Sequence, residues 1–208
     1  MDEPLFPLLS LSRLRMGTDG TGVTTLIAGA GCPLHCRWCI NERLLREAPV
    51  ESVSAPELIR RVAVDDLYFR ATGGGVTFGG GEALLHAGFI RRFRALCPSA
   101  WHVSVETSLA VAREQLILAL DAADLFIVDC KAMDGEIYRA YTGGDIALMR
   151  GNLRLLLEEA GPERVIVRVP YIPGYNTAED QTRSAEALRA MDVTRLDLFS
   201  YVIREGGA

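Results

Sequence analysis

The sequence predicts an α/β fold on a parallel sheet, and two observations carry that reading. Short β-branched or aliphatic runs alternate with amphipathic helical stretches along the chain. The conspicuous polar residues also fall at the C-terminal end of one run after another, where open parallel sheets and barrels alike gather their functional groups. Six such units fit either an open doubly wound sheet or a partial (β/α)6 barrel, and periodicity alone does not separate the two.

Taken in order, the first strand is expected over Val23–Gly29 and leads into a cysteine-rich loop. Ser54–Leu67 reads as a helix opened by a capping box of Ser54 and Glu57. The second strand, Gly75–Phe78, runs into Gly79-Gly80-Gly81-Glu82, after which Phe89, Ile90, Phe93 and Leu96 form one apolar helical stripe. The third strand, His102–Glu106, ends in Glu106-Thr107 and is followed by a helix over Val111–Leu120. The fourth, Leu125–Asp129, ends in Asp129 and Lys131, and helix is expected within Gly135–Glu159. The fifth, Val165–Val169, carries Arg168 at its end; Thr177 and Asp180 cap a helix over Ala178–Met191, and Leu196–Tyr201 is the sixth strand. The apolar stripes are assigned to the core.

Composition narrows the class. A chain of 208 residues with 49% hydrophobic content suits one domain with a sizeable core. No run approaches the ~18 apolar residues of a membrane span, and a net charge of −5 argues against nucleic acid as a partner. The opening Met-Asp-Glu-Pro-Leu-Phe-Pro lacks the basic and apolar regions of a secretory signal. With an odd count of five cysteines, disulfides are not expected and a reducing cytoplasm is.

The chemistry centres on Cys32, Cys36 and Cys39. Three clustered thiolates do not saturate a four-iron cluster, so one iron would stay open to a substrate or cosubstrate, as catalytic metals keep one position free. Structural zinc is the alternative, but it needs a fourth ligand. His35, His86, His102, Cys97 and Cys130 form no second pair at finger or ribbon spacing. Buried cysteines that serve only as small apolar residues are the other alternative. The glycine run permits close backbone approach and positive φ, at a spacing that is neither a P-loop nor a dinucleotide fingerprint. Lys131 is conspicuous because 21 of the 22 basic residues are Arg and it is the one Lys. A compact ammonium there marks a place that does not take a planar guanidinium, unless it is a chance surface lysine. Asp129, two residues earlier, shares its strand face.

The cysteine gaps of three and two residues, with Trp38 before the last cysteine, resemble the radical S-adenosylmethionine (radical SAM) enzymes. Residues 18–23, 74–85, 106–108, 128–134 and 169–176 narrow the resemblance to the glycyl-radical-enzyme activating enzymes of the pyruvate formate-lyase activating type. The resemblance implies a partial (β/α)6 barrel and a [4Fe-4S] cluster on Cys32, Cys36 and Cys39, with S-adenosylmethionine at the open iron. Reduction by a flavodoxin or ferredoxin-type donor would cleave this cosubstrate into methionine and a 5′-deoxyadenosyl radical. That radical would take a hydrogen from a glycine on a peptide loop of a partner glycyl-radical enzyme. Gly80, Gly81 and Glu82 are implied to hold the methionine amino group, with Glu106 and Thr107 nearby, and Lys131 and Arg168 to lie near its carboxylate or ribose. Lys131 is counted with the three cysteines as catalytic. Glu106 and Asp129 are implied to hold a monovalent cation, and Arg168 has the alternative of an ion pair at the barrel mouth.

Departures from the family pattern are Gly79 where serine is common, Ala83 where proline is common, and Val202 where a histidine meets the cosubstrate. With no ferredoxin-like insert and no closing helix after the sixth strand, one cluster is expected on a single core domain spanning residues 1–208, short at its C-terminus and monomeric. Two rivals remain: a radical SAM enzyme for a small molecule, like 7-carboxy-7-deazaguanine synthase, and a non-catalytic iron–sulfur or zinc protein. Segments 128–134 and 169–176 argue against the first.

Overall fold

Parallel strands buried on both faces read as near-continuous apolar runs, and six parallel strands lie side by side in chain order, the last of them an edge strand with no fully buried residue. The computed structural model describes residues 3–202. Its strands are β1 (Phe6–Met16), β2 (Val23–Gly29), β3 (Glu51–Val53), β4 (Gly75–Gly80), β5 (His102–Thr107), β6 (Leu125–Asp129), β7 (Val165–Tyr171) and β8 (Leu196–Ser200). Its helices are α1 (Glu42–Glu47), α2 (Ala55–Val62), α3 (Asp66–Thr72), α4 (Ala87–Leu96), α5 (Arg113–Ala119), α6 (Gly135–Thr142), α7 (Ile146–Ala160) and α8 (Ala178–Arg189). The sheet has eight strands in the order β3-β1-β2-β4-β5-β6-β7-β8 and is unclosed. From β2 to β8 all neighbours are parallel, so the α/β expectation and the partial barrel are met. No helix among the described residues is long and apolar enough to cross a membrane.

Two strands escape the sequence reading. β1 pairs antiparallel with β2 and β3, placing Phe6 opposite Val53. Its apolar alternation is broken by register shifts between Leu8 and Ser10 and between Ser12 and Arg15, with Leu14 at φ 55°, and each bulge flips the face that later side chains present. β3 has three residues, too few to show a period.

Two expected helices are each broken. The Ser54–Leu67 stretch is α2 and α3 joined by a 3-10 turn over Ala63–Asp65. That turn buries Asp65, whose carboxylate accepts from Arg13 on β1 and Thr25 on β2. Within Gly135–Glu159, α6 stops at Gly143, which takes the left-handed conformation at φ 72° that glycine tolerates best. Thr177 and Asp180 form a complete capping box for α8, whereas at Ser54 the side chain accepts from the Glu57 amide.

The core lies between the sheet and its helices. Phe78 on β4 meets Phe6, Phe89 and Phe93 edge-on. Of the residues assigned to it from apolar stripes, Leu96 and Leu67 are exposed instead: Leu96 is the last residue of α4, and Leu67 is two residues from buried Phe69 and so on the opposite side of α3.

Candidate active site

Strand register brings the candidate residues to one edge of the sheet. Gly80 on β4 stands opposite Gly29 on β2, Thr107 opposite Val128, and Asp129 opposite Arg168. The cysteine loop leaves β2 at this same edge and is tied down on two sides. On one side the amides of Gly81 and Glu82 donate to the carbonyls of Gly29 and Gly31 at 3.0 and 2.8 Å, and Asn41 Nδ2 donates to Gly80 O at 2.7 Å. On the other, the amides of His35 and Arg37 donate to the carbonyls of Thr142 and Tyr141 at the end of α6, at 2.9 and 3.1 Å. Only Leu34 of the loop is buried; Cys32, Cys36 and Cys39 are half-buried free thiols.

The glycines serve this close approach. A Cβ on Gly81 would stand 2.1 Å from Gly31 O, and one on Gly80, at φ +89°, would stand 2.7 Å from Ala28 Cβ. Backbone oxygens and strand atoms cannot yield at such distances, so the turn seats the cysteine loop as well as offering backbone to a ligand. Gly79 has its own reason, because a Cβ there would come within 2.7 Å of Glu106 Oε2.

Glu82 is fully buried and receives Thr107 Oγ1 at 2.7 Å, the Ser108 amide at 2.8 Å, Ser108 Oγ at 2.5 Å and the Leu84 amide at 3.1 Å. Burial pushes its carboxyl up while these donors pull it back. It therefore fixes the turn after β5 to the turn after β4, a role for Ser108 that the sequence did not signal.

Two ion pairs complete the edge. Arg168 Nη1 meets Glu106 Oε1 at 2.9 Å, its Nε lies 3.8 Å from Asp197, and it donates to the Thr18 carbonyl, which is the barrel-mouth ion pair. Burial raises the Glu106 carboxyl, Arg168 opposes that rise and Asp129 adds to it. Lys131 Nζ lies 3.2 Å from Asp129 Oδ2 and donates to Tyr201 Oη at 3.0 Å. Burial works to lower the Lys131 ammonium, yet Asp129, Tyr201 and Cys36 together hold it well above the ordinary lysine value. Lys131 is thus buried beside the cysteine loop and is no chance surface residue. Tyr201, noted from sequence only as a strand end, is its hydrogen-bond partner, and Val202 is exposed.

Burial raises the thiols of Cys32 and Cys36, the latter to about 11, while the charge of Lys131 lowers both. Cys97 and Cys130 lie apart, the first at the end of α4 against Arg94 and the second buried with its thiol toward Ala132 O and pushed up to about 12. Among the described residues, no three His, Cys, Asp or Glu converge on one ion position. The donor set suits a multi-iron cluster: three thiols spread along one loop, beside an ammonium that favours thiolate over thiol.

Residues 26–184 match the description of the Radical SAM superfamily. This chain belongs to the radical SAM superfamily. It is similar to pyruvate formate-lyase 2-activating enzyme of Escherichia coli strain K12, at 29% identity over 88% of this chain and 73% of that one. It is also similar to choline trimethylamine-lyase activating enzyme of Oleidesulfovibrio alaskensis, at 28% identity over 79% and 72%. Among solved structures, a domain of a pyruvate-formate lyase-activating enzyme from Bacteroides vulgatus superposes with a TM-score of 0.52 at 26% identity, covering 64% of this chain and 82% of that one. Streptococcus suis SuiB bound to S-adenosylmethionine shares the fold with a TM-score of 0.64 at 14% identity; the match covers 84% of this chain and 39% of SuiB. The radical SAM family implies a [4Fe-4S] cluster and S-adenosylmethionine.

Proposed function

We propose that this radical SAM chain installs a glycyl radical on a partner enzyme, with residues 1–208 read as one core domain. The observation that carries the reading is the placement of the three-cysteine loop against the glycine turn, with the partly buried Lys131–Asp129 pair at the same C-terminal end of the parallel strands. Cys32, Cys36 and Cys39 would hold the [4Fe-4S] cluster. When bound, the cluster supplies the electron that splits S-adenosylmethionine into methionine and the 5′-deoxyadenosyl radical.

The chain's own residues do the positioning. Gly80 and Gly81 would present backbone to the methionine amino group, while Glu82 holds Thr107 and Ser108 in place beside it. Lys131 would set its ammonium toward the methionine carboxylate or ribose, and Arg168, paired with Glu106, braces the far side of the edge. Glu106 and Asp129 already have Arg168 and Lys131 as counter-charges, so a monovalent cation is not needed to balance them. Trp38 and Ile40 in the cysteine loop are exposed to solvent, which suits approach of a flavodoxin or ferredoxin-type electron donor. The unclosed sheet suits a substrate that is a peptide loop.

Anaerobic reconstitution followed by iron and sulfide analysis, then reduction with S-adenosylmethionine present, tests the reading. The parent should carry about four irons per chain and release 5′-deoxyadenosine. Alanine at Cys32, Cys36 or Cys39 should abolish both, and Cys97→Ala and Cys130→Ala should retain both. A zinc-loaded protein, or loss of the cluster on changing Cys97 or Cys130 alone, would overturn the ligand assignment.

A further inference from the structure

A lysine ammonium has three N–H donors and no acceptor, and two of those on Lys131 are engaged. Nζ donates to Tyr201 Oη at 3.0 Å, and Asp129 Oδ2 stands 3.2 Å away. The two acceptors reach it from different elements, Asp129 from the last residue of β6 and Tyr201 from just past the end of β8. Either one alone would let the flexible four-carbon stem swing about a single contact. Together they fix where Nζ sits and which way its third N–H points. Among the described residues, no further hydrogen bond or ion pair engages Nζ.

Tyr201 is itself held on three sides. Its amide donates to Tyr171 O at 2.9 Å, which carries the β7–β8 pairing one residue beyond the strand. Its ring lies against those of Phe199 and Tyr141, at centroid distances of 5.5 and 6.3 Å. Tyr141 in turn seats the cysteine loop: its carbonyl accepts from the Arg37 amide at 3.1 Å and its hydroxyl donates to Trp38 O at 3.3 Å. A phenylalanine at position 201 would pack in the same way and leave the ammonium on Asp129 alone. We propose that Tyr201 is a positioning residue, whose hydroxyl fixes the Lys131 ammonium so that its third N–H faces the methionine carboxylate or ribose of S-adenosylmethionine. It acts through Lys131 and needs no contact with the cosubstrate, a role that rests on the placement of Lys131 proposed above.

Two readouts test it. Lys131 is the one Lys of the chain, so isotopic labelling of lysine Nζ gives a single side-chain resonance. In the reconstituted, oxidised protein the parent should show an ordered ammonium whose protons exchange slowly with water, and Tyr201→Phe should speed that exchange. A parent ammonium that exchanges like that of free lysine overturns the proposal whatever the variants do. The second readout is a double-mutant cycle on binding of S-adenosylmethionine to the reduced protein, with iron and sulfide counted in each sample. Tyr201→Phe should keep a full cluster, weaken binding roughly three- to tenfold, as for one lost hydrogen bond, and change nothing further in a Lys131→Met background. Additive losses would mean that Tyr201 touches the cosubstrate or only supports the fold, and they overturn the proposal, as does unchanged binding in Tyr201→Phe. A Tyr201→Phe protein that loads no cluster makes the hydroxyl a support of the cysteine loop and overturns it equally. Unchanged binding in Lys131→Met alone is a separate failure, that of the Lys131 placement, and takes this proposal with it.

Discussion

Replacing Lys131 by Met removes a buried ammonium while keeping much of its stem. In the parent that ammonium donates to Tyr201 Oη at 3.0 Å and lies 3.2 Å from Asp129 Oδ2, with the side chain 11% exposed. A hydrogen bond to a charged group contributes about 1.5–3 kcal/mol, but two effects reduce the net loss. Met recovers the desolvation that burial imposes on the ammonium, and water takes up part of Asp129, which is 34% exposed. A net loss of about 1–2 kcal/mol remains, which for a chain of this size lowers Tm by about 2–8 °C. On the proposed placement of Lys131 near the methionine carboxylate or ribose, cosubstrate binding has no such compensation, because nothing replaces the ammonium. The same 1.5–3 kcal/mol then appears as roughly ten- to hundred-fold weaker binding of S-adenosylmethionine. Lys131→Arg keeps the charge but forces a planar fork into the space between Asp129 and the Tyr201 ring, whose centroid lies 5.7 Å from Nζ. It too should weaken binding. Anaerobic thermal unfolding, iron and sulfide counts, and titration of S-adenosylmethionine into the reduced protein give the three readouts, with cluster content unchanged throughout. If both variants bind and cleave the cosubstrate like the parent, Lys131 only secures Tyr201, and the argument from its being the one Lys falls.

Further outcomes follow from the same geometry. Gly81→Ala places a Cβ 2.1 Å from Gly31 O, so it should cost at least the upper end of the about 1–3 kcal/mol of overpacking and lower cluster uptake. Gly88→Ala in α4 meets nothing within 4 Å and should stabilise by about 0.5–1 kcal/mol; denaturant unfolding of both variants checks the contrast. The Asp65 carboxyl is held below its usual 3.8 by hydrogen bonds from Arg13, against the opposing effect of burial. A depressed folded value means that the pair's stability is full above about pH 4 and is lost as pH falls through the lowered folded value. Arg13 is half exposed, so the about 3–5 kcal/mol for breaking a buried pair is discounted, and Asp65→Asn should cost about 2 kcal/mol at neutral pH. Unfolding followed from pH 5 to pH 2 should show a shallower acid loss in that variant; an identical slope would mean that Asp65 is not held by Arg13.

Local chemistry made much of this protein legible before any coordinates. β2 and β6 fall where their apolar runs begin and end, because a strand buried on both faces announces itself through composition alone, whereas the edge strand β8 is largely exposed. The cysteine spacing needs no tertiary information either, since all three thiols lie on one loop. The solitary Lys131 was visible by counting, but it lies two residues past the end of β6, so its pairing with Asp129 is a contact of the following loop and not of one strand face. What the tertiary structure decided are the relations between distant segments. β1 became a strand because the β2 edge was there to pair with it, despite two bulges that erase its period. The break between α2 and α3 exists where Asp65 must turn inward to Arg13 and Thr25. The glycine turn needs its missing Cβ atoms because Gly31, fifty residues away, lies against it. Glu82 takes donors from Thr107 and Ser108 at the end of the next strand, and the carbonyls of Tyr141 and Thr142 hold a loop that lies about a hundred residues earlier. Such contacts depend on which backbone passes near which, and a periodicity read within one segment carries no information about that.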